Sequence, residues 1–146
     1  MSKCRLEVWE CGLTGQTAHL IWDTFFIPSV DLFASKNFHL VDSYCSWFPD
    51  EKALARDAFS LVQWPNESYA FPPVPLIRAV LDKIRTDRMT AIIVVPQWKT
   101  SLWWDTLMEM LVEEPLYLGW HENILESRMG HTAPHLGHLM ACVVRG

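Results

Sequence analysis

The chain has 146 residues, of which half are hydrophobic and 20% are charged, and its formal net charge is -5. This length fits one domain and excludes two independent ones, because each half would bury too little surface. The negative charge excludes phosphate binding over the whole surface, since nonspecific nucleic-acid affinity needs many Lys and Arg side chains. No apolar run approaches the roughly 20 residues of a membrane span, and no signal-peptide pattern follows Met1. We therefore expect a soluble intracellular protein, cytoplasmic or nuclear, with no membrane partner.

The first predicted element is an amphipathic helix. Thr14 or Gly15 can begin it, and Pro28 ends it. We expect residues 1–28 to form an N-terminal extension and entry helix, and residues 29–146 to form the core of a single domain. The apolar residues that recur at three- and four-residue spacing in this helix are Ala18, Ile21, Trp22 and Phe25.

Short strands and turns dominate the next part of the chain. The sequence predicts a strand over residues 30–33, an irregular stretch through Pro49 and a short strand around residues 58–59. A further strand over residues 68–71 must end at the following pair of prolines, because proline cannot donate to the strand ladder.

A long helix and a buried strand follow. Pro75 suits the first turn of a helix, and residues 89–95 read as the central strand because their apolar run is uninterrupted. The apolar face of the helix comprises Leu76, Ile77, Val80, Leu81 and Ile84.

The C-terminal third predicts one more helix and two more strands. Thr100 or Ser101 can cap a helix that runs to about residue 111, and strands are expected over residues 116–118 and 139–144. Helices that alternate with apolar strands indicate an α/β domain with a wound, mostly parallel sheet. We expect an antiparallel edge at the C-terminus.

Tryptophan is unusually frequent, with eight residues. Such an excess predicts either a Trp-rich core or a face that packs against a partner. Trp103 and Trp104 are adjacent in a predicted helix, so their side chains point about 100° apart and cannot both face the core. We therefore expect one of them at the surface, and self-association through a Trp-rich patch.

Cysteine and histidine usage predicts neither a disulfide framework nor a metal site. The cysteines form no Cys-x-x-Cys pair, so we expect free buried thiols. Three histidines lie near the last cysteine, but their spacing matches no closed zinc motif, so we expect no metal. The residues concerned are Cys4, Cys11, Cys45, Cys142, His131, His135 and His138.

Three segments carry the site prediction, because ligands of wound sheets bind just after the strands. They are Asp31-Leu32-Phe33-Ala34-Ser35, Asp57-Ala58-Phe59 and Ala70-Phe71-Pro72-Pro73. Their order and spacing resemble the phage-type DNA adenine-N6-methyltransferases, which carry an Asp-x-x-Ala-Ser segment, an Asp-Ala-Leu segment and an Asn-Pro-Pro-Tyr signature. The likeness continues through Ile92-Ile93-Val94-Val95-Pro96, Trp103-Trp104 and Ala133-Pro134.

A closer resemblance is to the methyltransferase-like domain at the C-terminal end of DIRS-type, tyrosine-recombinase retroelement polyproteins. It spans about Trp9 to Val144 and includes Tyr69-Ala70-Phe71-Pro72-Pro73 and Val80-Leu81-Asp82-Lys83-Ile84. The resemblance implies a Rossmann-like, methyltransferase-type fold. It implies DNA or RNA, or a neighbouring RNase H or reverse transcriptase domain, as partners. It also implies S-adenosylmethionine as a cofactor, with Asp31, Phe33, Ser35 and Asp57 as the binding residues.

The resemblance also identifies the catalytic signature as Phe71-Pro72-Pro73-Val74. An adenine amine is a poor nucleophile, so the family accepts hydrogen bonds from it with an Asn or Asp oxygen and a prolyl carbonyl. An aromatic fourth residue stacks on the flipped base. Phe71 has no acceptor and Val74 has no aromatic ring, so the signature is degenerate.

Three readings of the function follow. The first is a noncatalytic methyltransferase-fold module derived from a retroelement polyprotein, which contacts nucleic acid or protein. Arg78, Trp98 and Lys99 are then the candidate nucleic-acid residues, as cations and a stacking platform beside the site. The second is an active S-adenosylmethionine-dependent DNA adenine-N6-methyltransferase. The third is a ligand-free protein-interaction module.

Overall fold

The computed structural model describes residues 11–34, 39–46, 50–127 and 136–146. Its strands are β1 (Cys11–Leu13), β2 (Asp31–Ala34), β3 (Tyr44–Ser46), β4 (Ser68–Ala70), β5 (Thr90–Pro96), β6 (Leu116–Trp120), β7 (Leu125–Ser127) and β8 (His138–Arg145). Its α-helices are α1 (Gly15–Thr24), α2 (Ile77–Asp87), α3 (Trp104–Met110) and α4 (His121–Ile124).

Six of the described strands form one sheet in the order β3-β2-β4-β5-β8-β6, and β1 pairs with β7 in a separate ribbon. The neighbours from β3 to β5 pair in parallel, while β8 pairs antiparallel with both β5 and β6. The predicted α/β sheet with antiparallel pairing at the C-terminal edge is therefore confirmed. In detail, β8 is inserted inside the sheet and β6 forms its edge.

The sheet is covered on both faces. Residues 91–96 of β5 are all buried, which confirms the predicted central strand. On one face, α2 and α3 pack against the sheet, and we call this the α2/α3 layer. On the other face lie α1 and the β1-β7 ribbon, which we call the α1 layer. The entry helix is thus part of the same packed structure as the sheet.

The three predicted helices are present, but their ends differ from the predicted ones. Thr14 caps α1 by accepting a hydrogen bond from the Thr17 backbone N–H at 3.3 Å. Four residues of the apolar face predicted for α2 are buried, whereas Leu76 is partly buried and ends a 3-10 turn over Val74–Leu76 before the helix. Helix α3 begins at Trp104 and not at Thr100 or Ser101, because residues 99–103 form turns first. None of the described helices has the length and apolar character needed to cross a bilayer.

The strand predicted around residues 58–59 is wrong. Ala58–Ser60 is a 3-10 turn, because the Asp57 side chain accepts the Phe59 N–H and the Ser60 hydroxyl donates to the Asp57 carbonyl. Conversely, β3 lies in the stretch predicted to be irregular.

The C-terminal end of α2 is anchored by Asp87. Its carboxylate accepts the Trp64 backbone N–H at 2.8 Å and pairs with Lys83 Nζ at 2.9 Å. The Asp87 side chain is 5% exposed. One turn earlier, Arg78 and Asp82 form an ion pair of the same i,i+4 spacing, but both side chains are 55% exposed.

We expect Asp87→Ala to lower the free energy of unfolding by about 2–3 kcal/mol, because a nearly buried carboxylate loses a hydrogen bond and an ion pair. Asp82→Ala is the matched control, and it should change that free energy by less than about 0.5 kcal/mol because water screens the exposed pair. Urea unfolding of the two variants and the wild type makes the comparison. Equal losses would contradict the anchoring role.

Candidate functional site

The candidate site lies at the topological switch point of the sheet. The chain passes from β2 to β3 on one side, and then to β4 on the other side of β2. Ligands of wound sheets bind in the crevice that such a reversal opens at the carboxyl ends of the strands. Here those ends are Ala34 of β2 and Ala70 of β4. Ser35, predicted to bind the cofactor, lies outside the described residues.

The predicted signature occupies the carboxyl end of β4. Phe71 is partly buried against the α1 layer, and Val74 packs against both layers. Pro72 and Pro73 are buried. The Pro73 carbonyl accepts the Leu76 N–H at 2.9 Å at the start of the 3-10 turn. These four side chains serve packing and offer no hydrogen-bond acceptor to a ligand.

Asp31 is buried in the middle of the sheet. It pairs in register with Tyr44 of β3 on one side and with Tyr69 of β4 on the other. Asp31 is 3% exposed, and its Oδ2 accepts the Leu40 N–H at 3.1 Å. Burial raises the pKa of this carboxyl to about 7, because a charged group is poorly solvated there.

Asp31 and its neighbour Tyr69 each place one polar atom in the protein interior. Asp31 Oδ1 and the Tyr69 hydroxyl are both buried and lack a hydrogen-bond partner in the described part of the chain. The Trp22 ring of α1 packs edge-on against Tyr69, with 5.1 Å between ring centroids. Burial, and then the nearby Asp31, raise the pKa of the Tyr69 hydroxyl. Sequence reasoning missed Tyr69, although it stands two residues before the signature on the opposite face from Ala70.

The other described cofactor candidates contact protein. Asp57 Oδ1 accepts the Phe59 N–H at 3.0 Å. The Phe33 ring packs edge-on against Phe59 and Trp64 at centroid distances of 5.8 Å and 6.3 Å. Asp31 and Asp57 both raise the pKa of the Cys45 thiol, after the larger effect of burial. Each of the two carboxylates accepts a backbone N–H, so neither has both oxygens free.

The three nucleic-acid candidates follow β4 or β5 at the carboxyl edge. Trp98 is 37% exposed, and Lys99 beside it is exposed in the loop directly after β5. Arg78 is exposed in the first turn of α2, where it pairs with Asp82 at 3.3 Å. Trp98 and Lys99 are thus exposed neighbours in the loop after β5, and Arg78 lies on the connection that follows β4.

The aromatic surface differs from the predicted one. Trp103 is buried, and Trp104 is partly buried against the α2/α3 layer. Besides Trp98, exposed aromatic rings lie in β6, where Tyr117 is 66% and Trp120 is 43% exposed. Sequence reasoning missed these positions because β6 is an edge strand without a buried face.

The thiols and metal candidates give no reactive centre in the described residues. Cys45 and Cys142 are free and buried, as predicted. Burial raises the pKa of Cys142 to about 12, so it stays an inert thiol. The described residues contain no cluster of His, Cys, Asp or Glu that could hold a metal, and His131 and His135 lie outside them.

Comparisons with protein-family models, with curated proteins and with solved structures found no match. The site is therefore interpreted from its own residues and from its position at the switch point.

We expect Asp31 to make the protein less stable as the pH rises from about 4 to about 7. The native carboxyl keeps its proton up to about pH 7, while the unfolded chain releases it near 3.8, so rising pH favours unfolding between these values. The loss amounts to roughly 4 kcal/mol at neutral pH. Asp31→Asn retains the acceptor for Leu40 and should remove this dependence.

Urea unfolding at pH 5 and pH 8 measures the effect. The wild type should lose more stability between the two pH values than Asp31→Asn, whereas Asp82→Asn, at an exposed position, should follow the wild type. Parallel curves for Asp31→Asn and wild type would show that Asp31 ionises freely in the native protein.

Proposed function

We propose that this chain is a noncatalytic module with a DNA adenine-methyltransferase fold, derived from a retroelement polyprotein, which contacts single-stranded nucleic acid at its carboxyl edge. One observation carries the proposal. At the switch point, the segment after β4 is Phe71-Pro72-Pro73-Val74, and its side chains are packed into the two layers. The sheet has the switch point, while the segment after β4 offers no side chain that could perform methyl transfer.

Methyl transfer to adenine needs hydrogen-bond acceptors and a stacking ring that this packed segment does not provide. A methyl acceptor amine needs oxygen acceptors for its N–H groups as the methyl arrives, and losing one positioned polar group costs on the order of 10²–10³ in rate. Phe71 cannot accept a hydrogen bond. A flipped base also needs a stacking ring, and its loss costs roughly 1–3 kcal/mol. Val74 cannot provide that ring.

The strand order supports a methyltransferase-type sheet. The described sheet is parallel from β3 to β5, and its last strand in sequence, β8, runs antiparallel inside it. The signature segment follows β4, next to the strand that holds Asp31. The signature segment therefore follows a strand, as the resemblance predicts, whereas Asp31 begins β2 and does not follow it.

The described cofactor candidates do not fit S-adenosylmethionine. A methionyl amine or a ribose hydroxyl needs a carboxylate that faces the open carboxyl edge. Asp57 is engaged in capping a turn, and the free oxygen of Asp31 lies under α1 beside Tyr69. Phe33 is held between two other rings.

Nucleic-acid contact is supported by the residues that do face solvent at this edge. Trp98 offers a ring for base stacking, and Lys99 offers a cation for the phosphate next to that base. The chain as a whole is acidic, so the contact must be local. Single-stranded DNA or RNA fits better than a duplex, because a stacking platform needs unpaired bases.

The exposed rings of β6 favour a second candidate function, a protein-interaction module. Tyr117 and Trp120 lie on an edge strand, where both the side chains and the strand backbone can pair with another chain. In this reading, self-association uses β6 and not the Trp103-Trp104 pair.

We expect no transfer of labelled methyl from S-adenosylmethionine to adenine in DNA, and no heat of cofactor binding in isothermal titration. The physical reason is the missing acceptor at Phe71 and the internal use of Asp57. A Phe71→Ala variant serves as the control for background signal. Methyl transfer by the wild type that this variant loses, or cofactor binding that Asp31→Asn abolishes, would support the active enzyme instead.

We expect Trp98→Ala to weaken binding of a single-stranded 20-mer, because one stacking contact of about 1–3 kcal/mol is lost. Lys99→Gln should lower the slope of log K against log salt by about 0.7. Fluorescence anisotropy with DNA and RNA oligonucleotides measures both.

Trp120→Ala is the matched control, since it removes an exposed tryptophan from β6 and should leave oligonucleotide binding unchanged. Wild-type protein that binds no oligonucleotide, together with a dimer that Tyr117→Glu dissociates, would favour the protein-interaction module.

A further inference from the structure

A cavity of about 550 Å³ opens at the amino-terminal edge of the sheet, away from the candidate site. Residues that precede β4, residues between α2 and β5, and the end of β8 line it. Thr90, the first residue of β5, and Arg145, the last residue of β8, face each other across the strand pair there. None of the residues predicted to bind S-adenosylmethionine or to form the catalytic signature lines this cavity.

Two guanidinium groups line the cavity. Arg145 Nε donates to the Thr90 hydroxyl at 3.2 Å, which orients the guanidinium and leaves its terminal nitrogens for other partners. Arg88 is exposed, and within the described residues its side chain forms no hydrogen bond or ion pair. Guanidinium groups present paired N–H donors in one plane, which match the oxygens of phosphate and carboxylate.

The acidic group at the cavity is already neutralised. Asp87 pairs with Lys83 and accepts the Trp64 N–H, so its charge is compensated within the protein. Asn66 accepts the Thr90 N–H through Oδ1, so its side-chain NH₂ group remains as a donor. Among the side chains of the lining, Arg88 and Arg145 therefore carry positive charges that no acidic side chain of the described residues pairs with, and Asn66 adds a neutral donor.

The backbone of Arg88 is held in a conformation that side chains disfavour. Its φ and ψ are 51° and 47°, in the left-handed region, at the residue that caps α2. Glycine adopts this conformation without steric cost and is common there, whereas a residue with a Cβ is strained. Glu67, which donates its N–H to the Thr90 carbonyl, also has a positive φ of 60°. Strained residues of this kind cluster at binding sites.

We propose that this cavity binds a small molecule through a phosphoryl dianion held between Arg88 and Arg145. Two guanidinium groups match the two charges of a phosphomonoester, and the volume suits a ligand of nucleotide or sugar-phosphate size. This role explains why a strained arginine and not a glycine stands at position 88, because glycine would remove one of the two guanidinium groups that hold the phosphoryl group. The proposal is independent of the function assigned to the carboxyl edge.

Isothermal titration at constant ionic strength tests the site with three probes: sodium phosphate, ribose 5-phosphate and AMP. We expect saturable binding of all three, with sodium chloride as the blank. Tighter binding of AMP than of ribose 5-phosphate assigns a nucleotide, tighter binding of ribose 5-phosphate than of phosphate assigns a sugar phosphate, and equal affinities assign inorganic phosphate. Absence of saturation with every probe overturns the proposal.

Arg88→Gly is the most informative variant, because it should raise the stability of the protein by relieving strain and lower its affinity for phosphate by removing a charge. Its melting temperature without ligand should rise above that of the wild type, since glycine relieves the backbone strain. Its affinity for the tightest of the three probes should fall at least tenfold. Arg145→Gln should weaken binding to a similar degree. Unchanged affinity in Arg88→Gly would refute the assignment even if the variant is more stable.

Arg85→Gln is the matched control. It removes one positive charge from the same helix, at a residue that faces Glu109 and does not line the cavity. Probe binding should stay within twofold of the wild type. Arg88→Gly should also leave oligonucleotide binding at Trp98 intact. Loss of oligonucleotide binding in that variant would make the cavity part of the nucleic-acid surface and would refute a small-molecule site.

Discussion

The fold depends on the complete burial of β5. Residues 91–96 have no exposed face, so water cannot hydrogen-bond to their backbone groups, and their apolar side chains need protein contacts on both faces. β4 must supply one edge and β8 the other, and helices must cover both faces. The positions of α1, α2 and α3 follow from this requirement. The two ends of the sheet are then the places where polar chemistry can reach solvent.

Elements with a strong period were predictable, and short elements were not. The apolar face of α2 and the apolar run of β5 are long enough for their hydrophobic pattern to identify a helix and a strand. At residues 58–59, a local hydrogen bond from the Phe59 N–H to the Asp57 carboxylate overrides the apolar pattern and makes a turn. Strands β1, β3 and β7 are three residues long, which is too short for a recognisable pattern. They form because they pair with strands distant in the sequence.

The same distinction applies to the candidate site. The segment after β4 could be predicted because prolines fix where the strand ends. The contact of Asp31 with Tyr69 could not, because it depends on the order of the strands and on their register. The cavity is a stronger example, since Arg88 and Arg145 are joined only by the pairing of β5 with β8. The signature segment at the carboxyl edge is thus apolar and packed, whereas two arginine side chains line the cavity at the amino edge.

The position of β8 has a consequence for how the chain folds. β8 is inserted between β5 and β6, so the sheet stays split into two parts until the last strand of the described chain is available. Before that, one edge of β5 and one edge of β6 lack their native partners, and such edges pair readily with strands of other molecules. Because the β5-β8 ladder joins residues about fifty positions apart, its closure is slow compared with helix formation. Nascent chains of this protein therefore pass through an interval of high aggregation risk that ends when β8 enters the sheet.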